Sequence, residues 1–280
     1  MKNSRVAILG MGLMGGSLAR AITDDVGSLV AADPDTATRE KVASCGLVER
    51  ISSRPEEVLP GSDVIILAAP VRAILELVPR LPEWHSGSPL VLDMGSTKRA
   101  ITEKMAGLPP AFDVLGGHPM CGKAVGGFRH AEPELFRDAP FAFCALQRTS
   151  EKARSFAEEM CRIIGAQPLW VDPARHDEWV GATSHVPYLM SAAQVLTTPR
   201  AAAPLMGTGF QSATRLASTP REMMLDVLCT NREAVMGYLE DVGRTIHSMQ
   251  ELIRKNDFEH LRAVLDRAAD KKDHMEGLTS

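Results

Sequence analysis

A histidine set between glycines and a proline is the first chemistry this chain offers. Gly116-Gly117-His118-Pro119-Met120-Cys121-Gly122 reads as a rigid loop presenting one imidazole. That side chain has the unperturbed pKa nearest neutrality, so His118 is a candidate general base. A second constellation supplies a partner reaction. Gly10-Met11-Gly12-Leu13-Met14-Gly15 is a GxGxxG that directly follows an apolar run and opens a helical pattern, and Asp33 ends the next apolar run. In that context the motif is a dinucleotide fingerprint. Gly10 makes the tight turn, and Gly12 admits the pyrophosphate to the backbone and helix N-terminus, with Leu13 and Met14 opening that helix. Gly15 lets helix and strand pack closely. Asp33 accepts hydrogen bonds from the adenosine ribose, and its charge repels a 2′-phosphate, which favours NAD over NADP. Ala68-Ala69-Pro70 and Asp93-Met94-Gly95-Ser96-Thr97-Lys98 follow two later apolar runs, where such sheets bind ligands. Ala69 and Pro70 are therefore expected to line the cofactor. Ser96 is either a ligand contact or the N-cap of the next helix, and Lys98 reads as a solvated first-turn residue. A nicotinamide and a presented imidazole together suggest alcohol oxidation, with the base taking the hydroxyl proton while hydride leaves the same carbon.

The elements that must hold these residues follow from apolar patterning. Residues 5–9, 29–32, 64–68 and 90–94 are short, nearly continuous runs of Val, Ile, Leu and Ala, as in parallel strands buried on both faces. Amphipathic segments such as 36–44 and 73–81 separate them, so the first half reads as βαβ units. Residues 114–115, 141–145 and 169–171 are shorter strand candidates, and Ser150 is an N-cap candidate for the helix between the last two. At Asp172-Pro173, a helix start, strand signals cease. The expected architecture is an α/β Rossmann domain over 1–172 followed by an all-α dimerisation domain over 173–280. Thr219-Pro220-Arg221-Glu222 reads as a capping box. Beyond it Leu228, Val235, Val242 and Met249 recur every seventh position, with Tyr238 or Leu239, Ile246 and Ile253 between them. One helix to Lys255 would hold about 36 residues and span about 54 Å. That is longer than a small domain needs, so part of the stripe is expected to pack on a second subunit. Asp257 is a candidate cap for a last helix.

Composition narrows the class. At 280 residues, 45% hydrophobic and 24% charged, the chain is an ordinary globular protein of one large or two ordinary domains. A net charge of −4 gives no footprint for nucleic acid or an anionic membrane. Five scattered cysteines without a CxxC suggest reduced thiols in the cytoplasm. No run reaches transmembrane length and no secretory leader is recognisable. No metal site is expected. His130, His176, His247, His260 and His274 read as surface residues.

Beyond this point the residues resemble a family. GMGLMGGSLA (10–19), ILAAPV (66–71), DMGSTK (93–98), GGHPMCG (116–122), SHVPY (184–188) and GFQSATRLAS (209–218) with Asn231 stand in the order and spacing of the prephenate/arogenate dehydrogenases of tyrosine biosynthesis. The resemblance covers almost the whole chain. The GGHPM loop and the TR pair are specific, whereas the glycine fingerprint is shared with many dehydrogenases. It implies a homodimer and NAD-dependent oxidative decarboxylation of prephenate to 4-hydroxyphenylpyruvate, or of arogenate to tyrosine. His118 would take the 4-hydroxyl proton, and Ser96 would position it. Arg215 would pair with a substrate carboxylate through its planar fork or form a surface ion pair. His185 would face substrate, with Tyr188 on the same stretch, or brace the backbone kinked before Pro187.

This chain departs from the family pattern at several points. Lys123-Ala124 stands where the family often carries an acidic residue, Tyr188 where a second histidine is common, and Ser212-Ala213 where an aspartate often precedes the TR pair. These changes leave the redox chemistry and put substrate choice in question. The length suggests a monofunctional enzyme with no appended regulatory or mutase segment. Two other readings compete. A β-hydroxyacid-type dehydrogenase lacks a GGHPM loop, and a non-catalytic nucleotide sensor has no need of Ser96, His118 and Arg215 together.

Overall fold

The fold is taken from a computed structural model that describes residues 1–123 and 125–277; the expectation attached to Ala124 lies outside the described residues. By packing, the chain forms two compact units, Met1–Arg232 and Glu233 onward.

The first unit is built on an eight-stranded sheet in the order β3-β2-β1-β4-β5-β6-β7-β8. Its strands are β1 (Arg5–Leu9), β2 (Ser28–Ala32), β3 (Arg50–Ser52), β4 (Val64–Leu67), β5 (Leu90–Asp93), β6 (Asp113–Pro119), β7 (Pro140–Ala145) and β8 (Gln167–Trp170). All neighbours pair parallel except β6 with β7, which pair antiparallel. Strands 3-2-1-4-5-6 are the doubly wound order of dinucleotide folds. Helices cover both faces: α1 (Leu13–Ile22), α2 (Thr36–Ser44), α3 (Val71–Leu77), α4 (Leu81–Trp84), α5 (Arg99–Ala106) and α6 (Glu151–Ile164). Strand residues alternate between the two cores, Val6 and Ile8 packing with Leu18, Ile22 and Phe156, and Ala7 and Leu9 with Ile74, Ile101 and Met105. A period of two with both faces covered accounts for the unbroken apolar runs.

No strand follows Trp170 among the described residues. Asp172 caps α7 (Pro173–Val180) by accepting from the amides of Ala174 and Arg175, and Ser150 caps α6 through the amide of Ala153. A π-turn over Gly181–His185 joins α7 to α8 (Val186–Thr197), and α9 (Thr208–Thr214) and α10 (Arg221–Thr230) complete this unit. By packing, α7 to α10 go with the sheet: α7 lies on α5 and α10 on α3. The second unit is made of two helices, α11 (Arg232–Arg254) and α12 (Phe258–Gly277), joined by a short turn. Its turn uses Asn256 at φ 56°, a left-handed position that asparagine tolerates, and Asp257 accepts from the amide of His260.

Several details correct the sequence reading. The long helix expected from residue 220 to 255 is two helices, because Asn231 leaves helical geometry at φ −122°, ψ 31°. Its side chain is drawn away to two acceptors on the first unit's helices, as described below. The expected Thr219 capping box is not formed: α10 starts at Arg221 after Pro220, with no side-chain cap. The GGHP segment is not a loop but the end of β6, with His118 opposite Ala142 of β7.

Candidate active site

The carboxyl ends of β1, β4, β5 and β6 face one edge of the sheet, and every expected cofactor residue stands there. Gly10 has φ +97°, and a side chain on it would strike the carbonyl oxygen of Ala68 at 2.5 Å; one on Gly15 would strike the carbonyl oxygen of Gly10 at 1.9 Å. Those two positions admit only glycine. A side chain on Gly12 would meet nothing within 4 Å, so the turn opens onto free space. The first bond of α1 is Gly16 N–H to Gly12 C=O, and no side chain caps the helix. The amides of Leu13, Met14 and Gly15 therefore lack intrahelical acceptors and form a cradle suited to a pyrophosphate. Asp33 is buried, and its two carboxylate oxygens accept from Met11 N (2.7 Å) and Asp35 N (2.9 Å). It ties β2 to the glycine turn and keeps lone pairs for ribose hydroxyls. Arg39 donates to the carbonyls of Asp33 and Pro34 and to the Thr36 hydroxyl. Ala69 is half-buried after β4, and Pro70 precedes α3. These residues fit a dinucleotide.

On β6, Leu115 pairs with Leu92 of β5, so His118 lies beyond the end of β5, on the same edge as Ser96. Backbone geometry there is set by a buried ion pair. Lys98 and Asp93 are fully buried and bonded to each other, and the Lys98 ammonium also donates to the Gly117 carbonyl (2.6 Å). The Asp93 carboxylate accepts from Gly95 N (2.8 Å) and Gly117 N (3.1 Å). Burial pushes the Asp93 carboxyl upward, against the opposing pull of Lys98 and these amides. Lys98 was expected as a solvated residue; it is instead the clamp on the strand that carries His118. Ser96 is half-buried, and α5 starts at Arg99 with Lys98 at its N-cap position, so Ser96 does not cap it.

The His118 imidazole is held from behind. Its Nδ1 lies 2.9 Å from Nε2 of His176, whose Nδ1 lies 2.8 Å from the Asp177 carboxylate. Burial first, then the charges of His176, Lys98 and His185, drive the His118 pKa well below its ordinary value. The ring is therefore neutral at physiological pH, with Nε2 left to meet a ligand. His176 was expected on the surface and is instead buried, as is Asp177. Both stand on the first helix after the strands end. Their sequence signal is that His176 shares the buried face of α7 with Val180, four positions on.

His185 closes the π-turn and is also buried. Asn231 donates one side-chain amide hydrogen to the Asp177 carbonyl (2.6 Å) and points the other at His185 Nδ1 (3.1 Å). This bracing of the ring leaves its Nε2 for a ligand. Burial lowers its pKa to about 4, against the pull of Asp177. Tyr188 is half-buried one turn on. Arg215 opens a short turn, Arg215–Ser218, that packs on α8 through Ala217 N–H to Ser191 Oγ (3.0 Å). Its guanidinium is exposed, and no carboxylate of the described residues pairs with it. Lys123, at the departure beside the GGHP segment, is paired with Glu132 at 2.6 Å.

Comparison with known proteins adds a second line. Residues 18–169 match the family model described as "Prephenate dehydrogenase, nucleotide-binding domain", and residues 172–267 match "Prephenate dehydrogenase, dimerization domain". The chain is 27% identical to the prephenate dehydrogenase of Bacillus subtilis over 283 residues, which cover 96% of this chain and 76% of that protein. It is similar to the crystal structure of prephenate dehydrogenase from A. aeolicus in complex with hydroxyphenyl propionate and NAD+. That match has a TM-score of 0.88 and 25% identity over 98% of this chain and 99% of that one. It is also similar to the crystal structure of Synechocystis arogenate dehydrogenase, with a TM-score of 0.82 and 25% identity over 97% of this chain and 99% of that one.

Proposed function

The chain belongs to the prephenate dehydrogenase family and is an NAD-dependent oxidoreductase, and from that premise we propose that it converts prephenate to 4-hydroxyphenylpyruvate in tyrosine biosynthesis, with His118 as general base. Gly10, Gly12, Leu13, Met14, Gly15, Asp33, Ala69 and Pro70 hold the cofactor. Bound there, NAD⁺ supplies the hydride acceptor. Nε2 of His118 takes the proton of the substrate 4-hydroxyl, and Ser96 steadies that hydroxyl. Arg215 pairs with a substrate carboxylate, and His185 and Tyr188 line the rest of the pocket. Loss of the ring carboxylate as carbon dioxide makes the ring aromatic, so the step does not reverse. The observation that carries this reading is the half-buried His118 imidazole, held neutral at the ligand edge of the sheet with its Nδ1 against His176. An unprotonated imidazole keeps a lone pair with which to accept the hydroxyl proton.

Preference for NAD over NADP rests on the Asp33 carboxylate and on Arg39, whose hydrogen bonds are spent on its own turn. Arogenate is the second substrate reading, favoured by the similarity to an arogenate dehydrogenase and by the departure at Tyr188. We further propose a homodimer in the cytoplasm, formed through the region that matches the dimerization domain. Among the described residues no helix is long and apolar enough to cross a membrane. The test of the base is His118→Asn. Its turnover should fall by roughly 10²- to 10⁴-fold with NAD affinity unchanged, and a variant with wild-type turnover would remove the assignment.

A further inference from the structure

His118 is not a lone imidazole, and the groups behind it fix where its protons sit. The Asp177 carboxylate receives three donors: the amides of Lys98 (2.6 Å) and Arg99 (2.9 Å) at the start of α5, and Nδ1 of His176 (2.8 Å). An ionised carboxylate only accepts, so the proton of neutral His176 resides on Nδ1. Its Nε2 is then an acceptor, and the only donor His118 can offer across 2.9 Å is Nδ1–H. The remaining nitrogen of His118, Nε2, carries the lone pair. One carboxylate thereby sets two tautomers in series.

The same network decides where positive charge can rest. A cation on His118 would be largely desolvated and would be opposed by His176, the Lys98 ammonium and His185. A cation on His176 would lie against the Asp177 carboxylate, which is itself fixed by two backbone amides of α5. We propose that His176 and Asp177 form a proton-holding pair behind the base: as Nε2 of His118 takes the substrate hydroxyl proton, Nδ1 of His118 gives its own proton to Nε2 of His176. One N–H bond forms at His118 Nε2 and one breaks at its Nδ1, while one forms at His176 Nε2. His118 ends neutral, and the charge stands on His176 beside Asp177. Neither residue of the pair touches the substrate, so both are positioning residues. The proposal rests on His118 being the base.

His176→Gln keeps an acceptor within reach of His118 Nδ1 but cannot take a proton, whereas His176→Ala removes both roles. In steady-state assays kcat should fall about 100-fold in His176→Ala and about 10-fold in His176→Gln, with KM and NAD affinity within about threefold of wild type. Single-turnover rates in mixtures of light and heavy water should curve with deuterium fraction in the wild type, because two protons move together. They should become linear in His176→Gln, a change that a packing role for His176 would not produce. Should the alanine variant fail to fold, the glutamine variant alone carries the test. A linear dependence in the wild type would overturn the proposal, as would kcat within about threefold of wild type in His176→Gln. An inactive His118→Asn beside fully active His176 variants would end the relay and leave the base standing. An active His118→Asn would remove the base beneath it.

Discussion

At the scale of single residues, the site contrasts groups that sequence motifs reveal with groups that only contacts reveal. Gly10, Gly12, Gly15, Asp33 and His118 were legible because a strand, a glycine turn and a helix in fixed order leave few other readings. Lys98 and His176 were not. A lysine in a first helical turn and a histidine on a polar helix are ordinarily solvated, and nothing local announces that Asp93 and Asp177 wait for them in the interior. A buried cation persists only when it is paired. The carboxylates are near in sequence, Asp93 five positions from Lys98 and Asp177 next to His176, but the contacts that bury them are remote: the Lys98 amide and Asp177 are 79 positions apart in sequence. Asp33 shows the opposite case, in which the expected residue has an extra duty through its bond to Met11 N. Loss of a hydrogen bond to a charged group costs about 1.5–3 kcal/mol, so Asp33→Ala should weaken NAD binding by roughly tenfold or more. It should also narrow the preference over NADP. Titrations of both nucleotides check this, and an unchanged ratio of affinities would remove the role assigned to its charge.

At the scale of elements, the helices beyond Trp170 lock the catalytic edge in place. Asp177 of α7 holds the start of α5, and Asn231 after α10 holds both the Asp177 carbonyl and His185. Thr230 meets Thr97 at 2.9 Å, and Arg72 of α3 pairs with Asp226 of α10 at 3.0 Å. The heptad stripe read correctly as helix but concealed the break at Asn231, because apolar spacing continues through it while the asparagine bonds elsewhere. Strand β3 was missed because its three residues lie at the sheet edge and are only partly covered. The strand candidate at 114–115 was legible, but the glycines hid its extension to Pro119, which the antiparallel partner β7 defines. The π-turn carries a titration consequence. His185 has an ordinary value near 6.5 unfolded and about 4 folded. Below 6.5 the unfolded chain binds a proton that the folded one refuses, so stability falls as pH drops through that window. The full shift corresponds to roughly 3 kcal/mol. Urea unfolding of the wild type and His185→Gln across the window should show a smaller acid loss in the variant, and parallel losses would contradict this account.

At the scale of the whole molecule, the doubly wound sheet and the helical remainder were both legible. The extent of packing between them was not, since composition changes at 172 whereas α7 to α10 pack with the sheet. The helices α11 and α12 leave Met236, Ile246, Ile253, Phe258, Leu265 and Met275 about half exposed, an apolar surface suited to the proposed dimer. Sedimentation should give twice the mass of one chain, and a monomer at assay concentrations would contradict the dimer. The central claim, that this fold oxidises and decarboxylates a cyclohexadienol, is tested most directly by mixing the purified protein with NAD⁺ and prephenate, and in parallel with arogenate. NADH absorbance and released carbon dioxide are followed together. The account predicts one NADH and one carbon dioxide per prephenate consumed. Failure to turn over either substrate by a protein that still binds NAD would contradict it.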